Sequence, residues 1–430
     1  MADMGGFPIL EIAKSPEIGA SGGCPHDLSS GPGAEQASLR AGDEMPDSAI
    51  VERQKVREIE ASPIPERFAR GWHCLGLAES FKDGKPHGIE AFGTRLVVFQ
   101  GADGKLNALD AFCRHMGGNL ADGRIVGDTI ACPFHDWRWA GDGRCAAVPY
   151  ARRIPPGAQT RAWISHEING HLLVWNDPEG NPPPPELMVP RIEGAYSDDW
   201  SDWGWCDAII ENHPRELIDN LADMAHFFYV HGERKRAMPG YFKNVFHDHI
   251  ATQYLEQGSD DVTPTYPRDR PYTGESDKID GVLRSESTWN GPAYSIDHLW
   301  WRLDGDMVYS ILFLGILPIE PKRFRLSMGV LTRKDPRLDA AANVARHAQN
   351  FEWLRFSTFQ DVAIWKGKAR IDNPLLSDGD GPVYRLRTWY DQFYTDVADI
   401  RPQSVAHFEK EVDTRHANEV WARELAEGEN

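Results

Sequence analysis

Two short loops, each offering one cysteine and one histidine, constrain this chain more than any other feature: Cys113-Arg-His115 and, sixteen residues later, Cys132-Pro-Phe-His135. Structural zinc draws on the same ligands, but usually pairs Cys with Cys and His with His. A mixed pair on each loop suits a [2Fe–2S] centre in which two thiolates hold one iron and two neutral imidazoles hold the other, an exchange that raises the reduction potential. Gly117, Gly118, Gly123 and Gly127 lie between the halves, where a chain folding closely around a cluster needs positive φ or a missing side chain. Pro133 stiffens the second loop.

A second group of ligand types follows in Asn220-Leu-Ala-Asp223-Met-Ala-His226-Phe-Phe-Tyr-Val-His231, with Gly232 after it. Asn220, Asp223 and His226 are three apart and are expected on one helix face. His231 is five beyond His226, a turn of roughly 500°, so the helix either distorts or ends there, with Gly232 as a stop signal. Two imidazoles on one metal leave a third ligand to find. Asp361 offers it, in Phe359-Gln-Asp361-Val-Ala-Ile-Trp365 on a periodic stretch that predicts a long helix over 338–368. His226, His231 and Asp361 would form a two-His, one-carboxylate triad, which leaves positions on ferrous iron for oxygen and substrate. Such residues are also ordinary surface or core features. The Cys/His loops give them weight, because a cluster of that kind passes single electrons to a partner.

With both patterns in hand, the chain resembles the oxygenase (α) subunit of Rieske non-haem iron oxygenases, and in particular the 3-ketosteroid 9α-hydroxylase branch. The likeness rests on RFARGWHCLG (67–76), KPHGIEAFGTRLVV (85–98), the stretch from Cys113 to Cys145, YFKNVF (241–246) and the stretch from Ile371 to Asp399. It implies a Rieske [2Fe–2S] cluster on Cys113, His115, Cys132 and His135, and Fe(II) on His226, His231 and Asp361. It implies that Asp223 bridges electron transfer from a cluster histidine of a neighbouring subunit in a head-to-tail homotrimer, with Asn220 nearby in a supporting or more distant ligand position. It further implies O2-dependent hydroxylation driven by NADH through a separate flavin and iron–sulfur ferredoxin reductase. The chain itself has no Gly-rich dinucleotide fingerprint opening a βαβ unit.

Composition narrows the class. At 430 residues the chain can bury two or three cores. A net charge of −19 argues against nucleic-acid backbones, which need clustered Lys and Arg. Cys24, Cys74, Cys145 and Cys206 show no disulfide-framework spacing, and no basic start followed by an apolar core opens the chain, so reduced thiols in the cytoplasm are expected. The longest apolar stretch, Met307 to Ile319, is too short to span a bilayer and reads as a buried strand.

Three parts are expected, in an α+β class. Residues 1–63 read as a disordered tail, with a possible short helix over 48–61 and a chance pair in Cys24 and His26. Residues 64–187, alternating and punctuated by Gly and Pro, predict a small antiparallel β domain, the Rieske domain of the resemblance, ending at the stiff run Pro182–Pro185. Residues 188–430 predict strands over 281–289, 295–301, 307–319 and 323–331 between helices over 215–230, 338–368 and 402–425. The resemblance implies the helix-grip form there, with a mononuclear iron site and the substrate between sheet and long helix.

Tyr294, Ile296, Trp300, Phe313, Leu314, Phe359 and Trp365 suit an apolar pocket, though each also suits ordinary core. Ser295 and Asp297 stand where the ketosteroid branch carries Met and Asn, Leu314-Gly-Ile316 replaces a polar Asn-Cys-His, and an insertion over Gly232 to Met238 follows His231. Those departures bear on which substrate is taken. A 3-ketosteroid is the expected substrate; another bulky apolar molecule, demethylated or hydroxylated on an aromatic ring, is the alternative. A cluster-only electron carrier would require the triad to be accidental.

Overall fold

The computed structural model describes residues 57–231, 238–258, 283–303 and 306–428. Strands between Gly71 and Asn176 form three small antiparallel sheets. The central strand, Thr94–Gln100 (TRLVVFQ), explains their layering. Successive side chains point to opposite faces. Leu96 and Val98 therefore join a core with Trp163 and Val174. Val97 and Phe99 join another with Trp139, Cys113 and Cys132. The Cys113 loop follows strand Leu106–Asp110, and the Cys132 loop joins Thr129–Ala131 to Arg138–Ala140.

An eight-stranded antiparallel sheet makes up the second part. Its order is Gly204–Ile210, Arg323–Thr332, Asp306–Glu320, Tyr294–Leu303, Leu283–Asn290, Ile250–Gly258, Met238–His247 and Phe408–Glu411. Alternation again assigns its faces. Tyr294, Ile296, Ile311 and Phe313 pack with Trp72, Leu173 and Trp175 of the small sheets. Leu299, Trp301 and Leu312 point the other way and pack with Leu354 of the long helix.

That helix runs Ala340–Gly367, capped by the Asp339 carboxylate, which accepts the Ala342 N–H at 2.8 Å. Asn350, Leu354, Thr358, Val362 and Trp365 form its buried stripe. Asn350 bolts it to the sheet: Nδ2 donates to Ser310 Oγ and Thr332 Oγ1, both at 2.7 Å, and Oδ1 accepts from the Trp301 indole at 3.1 Å. Among the described residues no helix is long and apolar enough to cross a membrane.

Three expected helices differ. The one over 215–230 is broken into Arg215–Ile218, a 3-10 turn Asp219–Ala222 and a short helix His226–Tyr229, because Asp223 adopts an extended backbone (φ −98°, ψ 108°). The one over 402–425 splits into Pro402–Val405, the edge strand Phe408–Glu411 and the helix Arg415–Gly428; the edge strand satisfies its backbone on Met238–His247. In the described part of 48–61, Glu58–Ile59 form a strand parallel to Arg370–Ile371, with Glu58 accepting from Lys322 Nζ at 2.7 Å. Cys24, His26 and residues 232–237 of the insertion lie outside the described residues.

Candidate active site

The two Cys/His loops close on themselves before any metal is considered. Cys113 N–H donates to Gly118 and Gly117 N–H to Cys113, both at 2.8 Å; Cys132 N–H donates to Trp137 at 2.9 Å and Asp136 N–H to Cys132 at 3.0 Å. Both cysteines are buried. Burial pushes the Cys113 thiol up, opposed by the His115 N–H and by the Trp139 indole, which donates to Cys113 Sγ at 3.3 Å. The His115 and His135 rings meet edge to face at 4.8 Å, and His115 stacks on Trp137. His135 Nδ1 is buried with no hydrogen-bond partner among the described residues. A Cβ on Gly118 would come within 2.7 Å of Cys132 Sγ, so this glycine is required by space. Two buried thiols beside two half-buried imidazoles, one with an orphaned nitrogen, fit a mixed-ligand [2Fe–2S] cluster.

Far along the chain, His226, His231 and Asp361 come together, each offering a ligand atom within 4.8 Å of the others. His226 opens its short helix, and its Nδ1 donates to the Asp223 backbone carbonyl at 2.7 Å. His231, just past that helix, has Nδ1 against Ser357 Oγ at 3.0 Å and Gln360 Oε1 at 3.3 Å. Both Nε2 atoms are thereby left for a metal, the usual division of labour in an imidazole ligand. His231 Nε2 lies 3.3 Å from Asp361 Oδ2. Burial pulls His226 down, but the hydrogen bond to Asp223 and the charges of Asp361 and Asp223 outweigh it and hold the ring above its ordinary value. This donor set fits a mononuclear ferrous ion with open positions.

Asp223 caps the short helix, accepting the Ala225 and His226 N–H groups at 3.1 and 3.3 Å, yet its side chain is 42% exposed. Asn220 Oδ1 accepts from the Trp365 indole at 3.2 Å.

The triad lies in the wall of a cavity of about 560 Å³ between sheet and long helix, within the range of small-molecule sites. Of the expected pocket residues, Asp297, Leu314 and Trp365 line it. Tyr294 does not: it faces the small sheets, its hydroxyl on Asn169 and His171 at 3.1 and 2.9 Å. Ile296 and Phe313 share that face. Ser295 points to the cavity side but is buried in packing, Trp300 stacks on Tyr309, and Phe359 lies beside the buried stripe, against core. Sequence reasoning missed Gln253, Ser285, Ser287, Trp301 and Trp353 in the lining, and Ser357 and Gln360 behind His231. The two-residue spacing of Ser285 and Ser287 in their strand was the available signal.

Burial pushes the Asp297 carboxyl up to about 7, against the Ser285 hydrogen bond and with the help of the Glu286 charge.

Comparison with known proteins gives the geometry its context. The Rieske [2Fe-2S] domain model matches residues 71–158, and the 3-ketosteroid 9alpha-hydroxylase C-terminal domain model matches residues 174–394. An oxygenase component of 3-ketosteroid-9-alpha-monooxygenase from Rhodococcus rhodochrous is 50% identical over 375 residues, 87% of this chain and 93% of that protein. One of the same name from Mycobacterium tuberculosis is 48% identical over 86% and 93%. Among solved structures, apo dicamba monooxygenase shares the fold at a TM-score of 0.56 and 15% identity, over 76% of this chain and 97% of that one. A cysteine–histidine cradle, a two-His, one-carboxylate cluster at a cavity and these matches over most of its length place the chain in the 3-ketosteroid 9α-hydroxylase family of Rieske oxygenase components.

Proposed function

We propose that this chain is the oxygenase component of a Rieske monooxygenase that hydroxylates a 3-ketosteroid, with Cys113, His115, Cys132 and His135 holding the [2Fe–2S] cluster and His226, His231 and Asp361 holding the mononuclear iron. The observation that carries the reading is the meeting of two imidazoles and a carboxylate from distant segments in the wall of a largely apolar cavity. Iron bound there, given electrons and O2, supplies the insertion of an oxygen atom into a C–H bond.

The protein's part is placement. The Asp223 carbonyl, Ser357 and Gln360 orient the imidazoles. Leu299, Leu312, Leu314, Trp301 and Leu354 keep water from the reacting carbon. Asn220 holds Trp365 against the same wall. Asp223 touches His226 while keeping its carboxylate open to the surface, which suits a bridge to a cluster histidine of a second copy. Phe112, Met116 and Phe134, exposed on and beside the Cys/His loops, suit the contact of a head-to-tail homotrimer. The division of labour we propose is 64–187 for the cluster and 188–430 for the iron and substrate. Electrons come from a separate NADH-oxidising flavin and iron–sulfur ferredoxin reductase, and the free, buried state of Cys74 and Cys145 is in keeping with the cytoplasm.

The test is NADH-dependent O2 uptake by the iron-replete protein with a surrogate reductase and 4-androstene-3,17-dione. A product heavier by one oxygen, formed in step with O2 consumed, is expected. Absence of both product and stimulation, with both iron centres loaded, would overturn the steroid reading.

A further inference from the structure

The register of three neighbouring strands places Gln253, Ser287 and Asp297 directly opposite one another, in a row across the cavity floor. Leu312 continues the row on the next strand. Polar side chains set into a wall of leucine and tryptophan cost free energy unless something hydrogen-bonds them. Here the protein supplies half of what is needed. Asp297 Oδ1 accepts from Ser285 Oγ at 2.8 Å, while Oδ2 has no partner among the described residues. Gln253 is 3% exposed, and its Nε2 is buried with no hydrogen-bond partner among the described residues. Among the described residues no Lys or Arg lines the cavity, so none of them answers the carboxyl with a cation there.

We propose that Asp297 and Gln253 are specificity-determining residues that together hold one carbonyl oxygen of an otherwise hydrocarbon substrate. A carbonyl oxygen has two lone pairs and no hydrogen to give, so it needs two donors. Gln253 Nε2 is one. The other is the Asp297 hydroxyl, present because burial, with the Glu286 charge, holds the carboxyl protonated up to about pH 7 while Ser285 occupies its other oxygen. Among the described residues, Asp361, His226 and His231 are the titratable groups facing the same cavity from the helical side. The proposal rests on the oxygenase reading for its substrate class, and it adds the chemistry by which the substrate is oriented. It also gives recognition a pH dependence: ionised Asp297 cannot donate and repels a carbonyl oxygen, so affinity falls as pH rises through about 7.

Anaerobic equilibrium binding to the full-length holoprotein, read from the fluorescence of the cavity residues Trp289, Trp301, Trp353 and Trp365, tests this from about pH 6 to about pH 9. The probes are 4-androstene-3,17-dione, and 2-adamantanone beside its hydrocarbon parent adamantane. The wild-type Kd for the ketones is expected to rise towards tenfold per pH unit above about 7, as for binding to a protonated form alone. Asp297→Asn keeps a donor and loses the titration, so its Kd should be flat. Asp297→Leu and Gln253→Leu should bind the ketones about tenfold more weakly at low pH, the worth of one hydrogen bond, with adamantane unaffected. His226 and His231 remain in every variant, so a slope that survives in Asp297→Asn belongs to them and overturns the proposal. Equal binding of ketone and parent hydrocarbon, or no binding of any ketone, also overturns it. If 2-adamantanone shows the expected pattern and the steroid does not bind, the carbonyl anchor stands and the steroid reading falls.

Discussion

His226 separates the two metal sites more cleanly than any other residue. It shares no ligand with the Cys/His loops, so His226→Ala should drop turnover to background and remove the mononuclear iron while leaving the visible spectrum of the cluster intact, checked by iron content and absorbance. Asp297 leaves a mark on stability. Its carboxyl is raised from an ordinary value near 4 to about 7 in the fold, so the native state binds the extra proton. The contribution is fully present below about pH 4 and is lost as pH rises through about 7. Urea midpoints of Asp297→Asn should therefore fall less with pH across that window than those of the wild type. At this scale the grouping of His226, His231 and Asp361, which the fold brings together, was expected from sequence because residue type and spacing carry its chemistry. The pocket was not, because side chains on a strand alternate and one position decides the face. Tyr294 fell on the wrong side for that reason, while Asp297 and Leu314 fell on the right one.

The long helix and the central strands were written in their apolar periods, and the Ala340–Gly367 helix lies within two residues of its expected ends. The segment from Arg215 to Val230 was not so plain. Its period is helical, but Asp223 turns extended and spends its carboxylate on the N–H groups that open the next short helix. A capping side chain competing with the helix interior wins here. The break gives His231 its separate approach to Asp361, which a continuous helix would deny. Two predictions belong to elements. Asn350→Leu removes the partners of the Trp301 indole, Ser310 and Thr332 in one step and should lower stability on the order of 1–3 kcal/mol, or more if all three are left unsatisfied; chemical denaturation measures it. Gly118→Ala places a methyl against Cys132 Sγ and should reduce cluster content, seen as loss of visible absorbance per protein, with the mononuclear site still able to take iron.

In the whole molecule, the small sheets cover one face of the large sheet and the long helix covers the other, so the cavity and the Cys/His loops lie on different sides of it. That division was visible in the sequence as a change from short, Gly-punctuated strands to long strands between helices. The pairing of Glu58–Ile59 with Arg370–Ile371 was invisible, being a contact across most of the chain. The proposed head-to-tail homotrimer predicts a particle about three times the 48.4 kDa chain mass by light scattering. Asp223→Asn should keep that size and both metals yet slow electron arrival at the iron; normal turnover would remove the bridging role. The central claim is that His226, His231 and Asp361 hold an iron in the wall of the cavity that takes the substrate. The most direct measurement is the electron paramagnetic resonance of the nitric oxide adduct of the ferrous holoprotein, before and after 4-androstene-3,17-dione is added. A high-spin iron–nitrosyl signal that shifts on addition of the steroid, and is absent from His226→Ala, is the expected result; an iron-replete protein that gives no such signal, or one the steroid leaves unchanged, would contradict it.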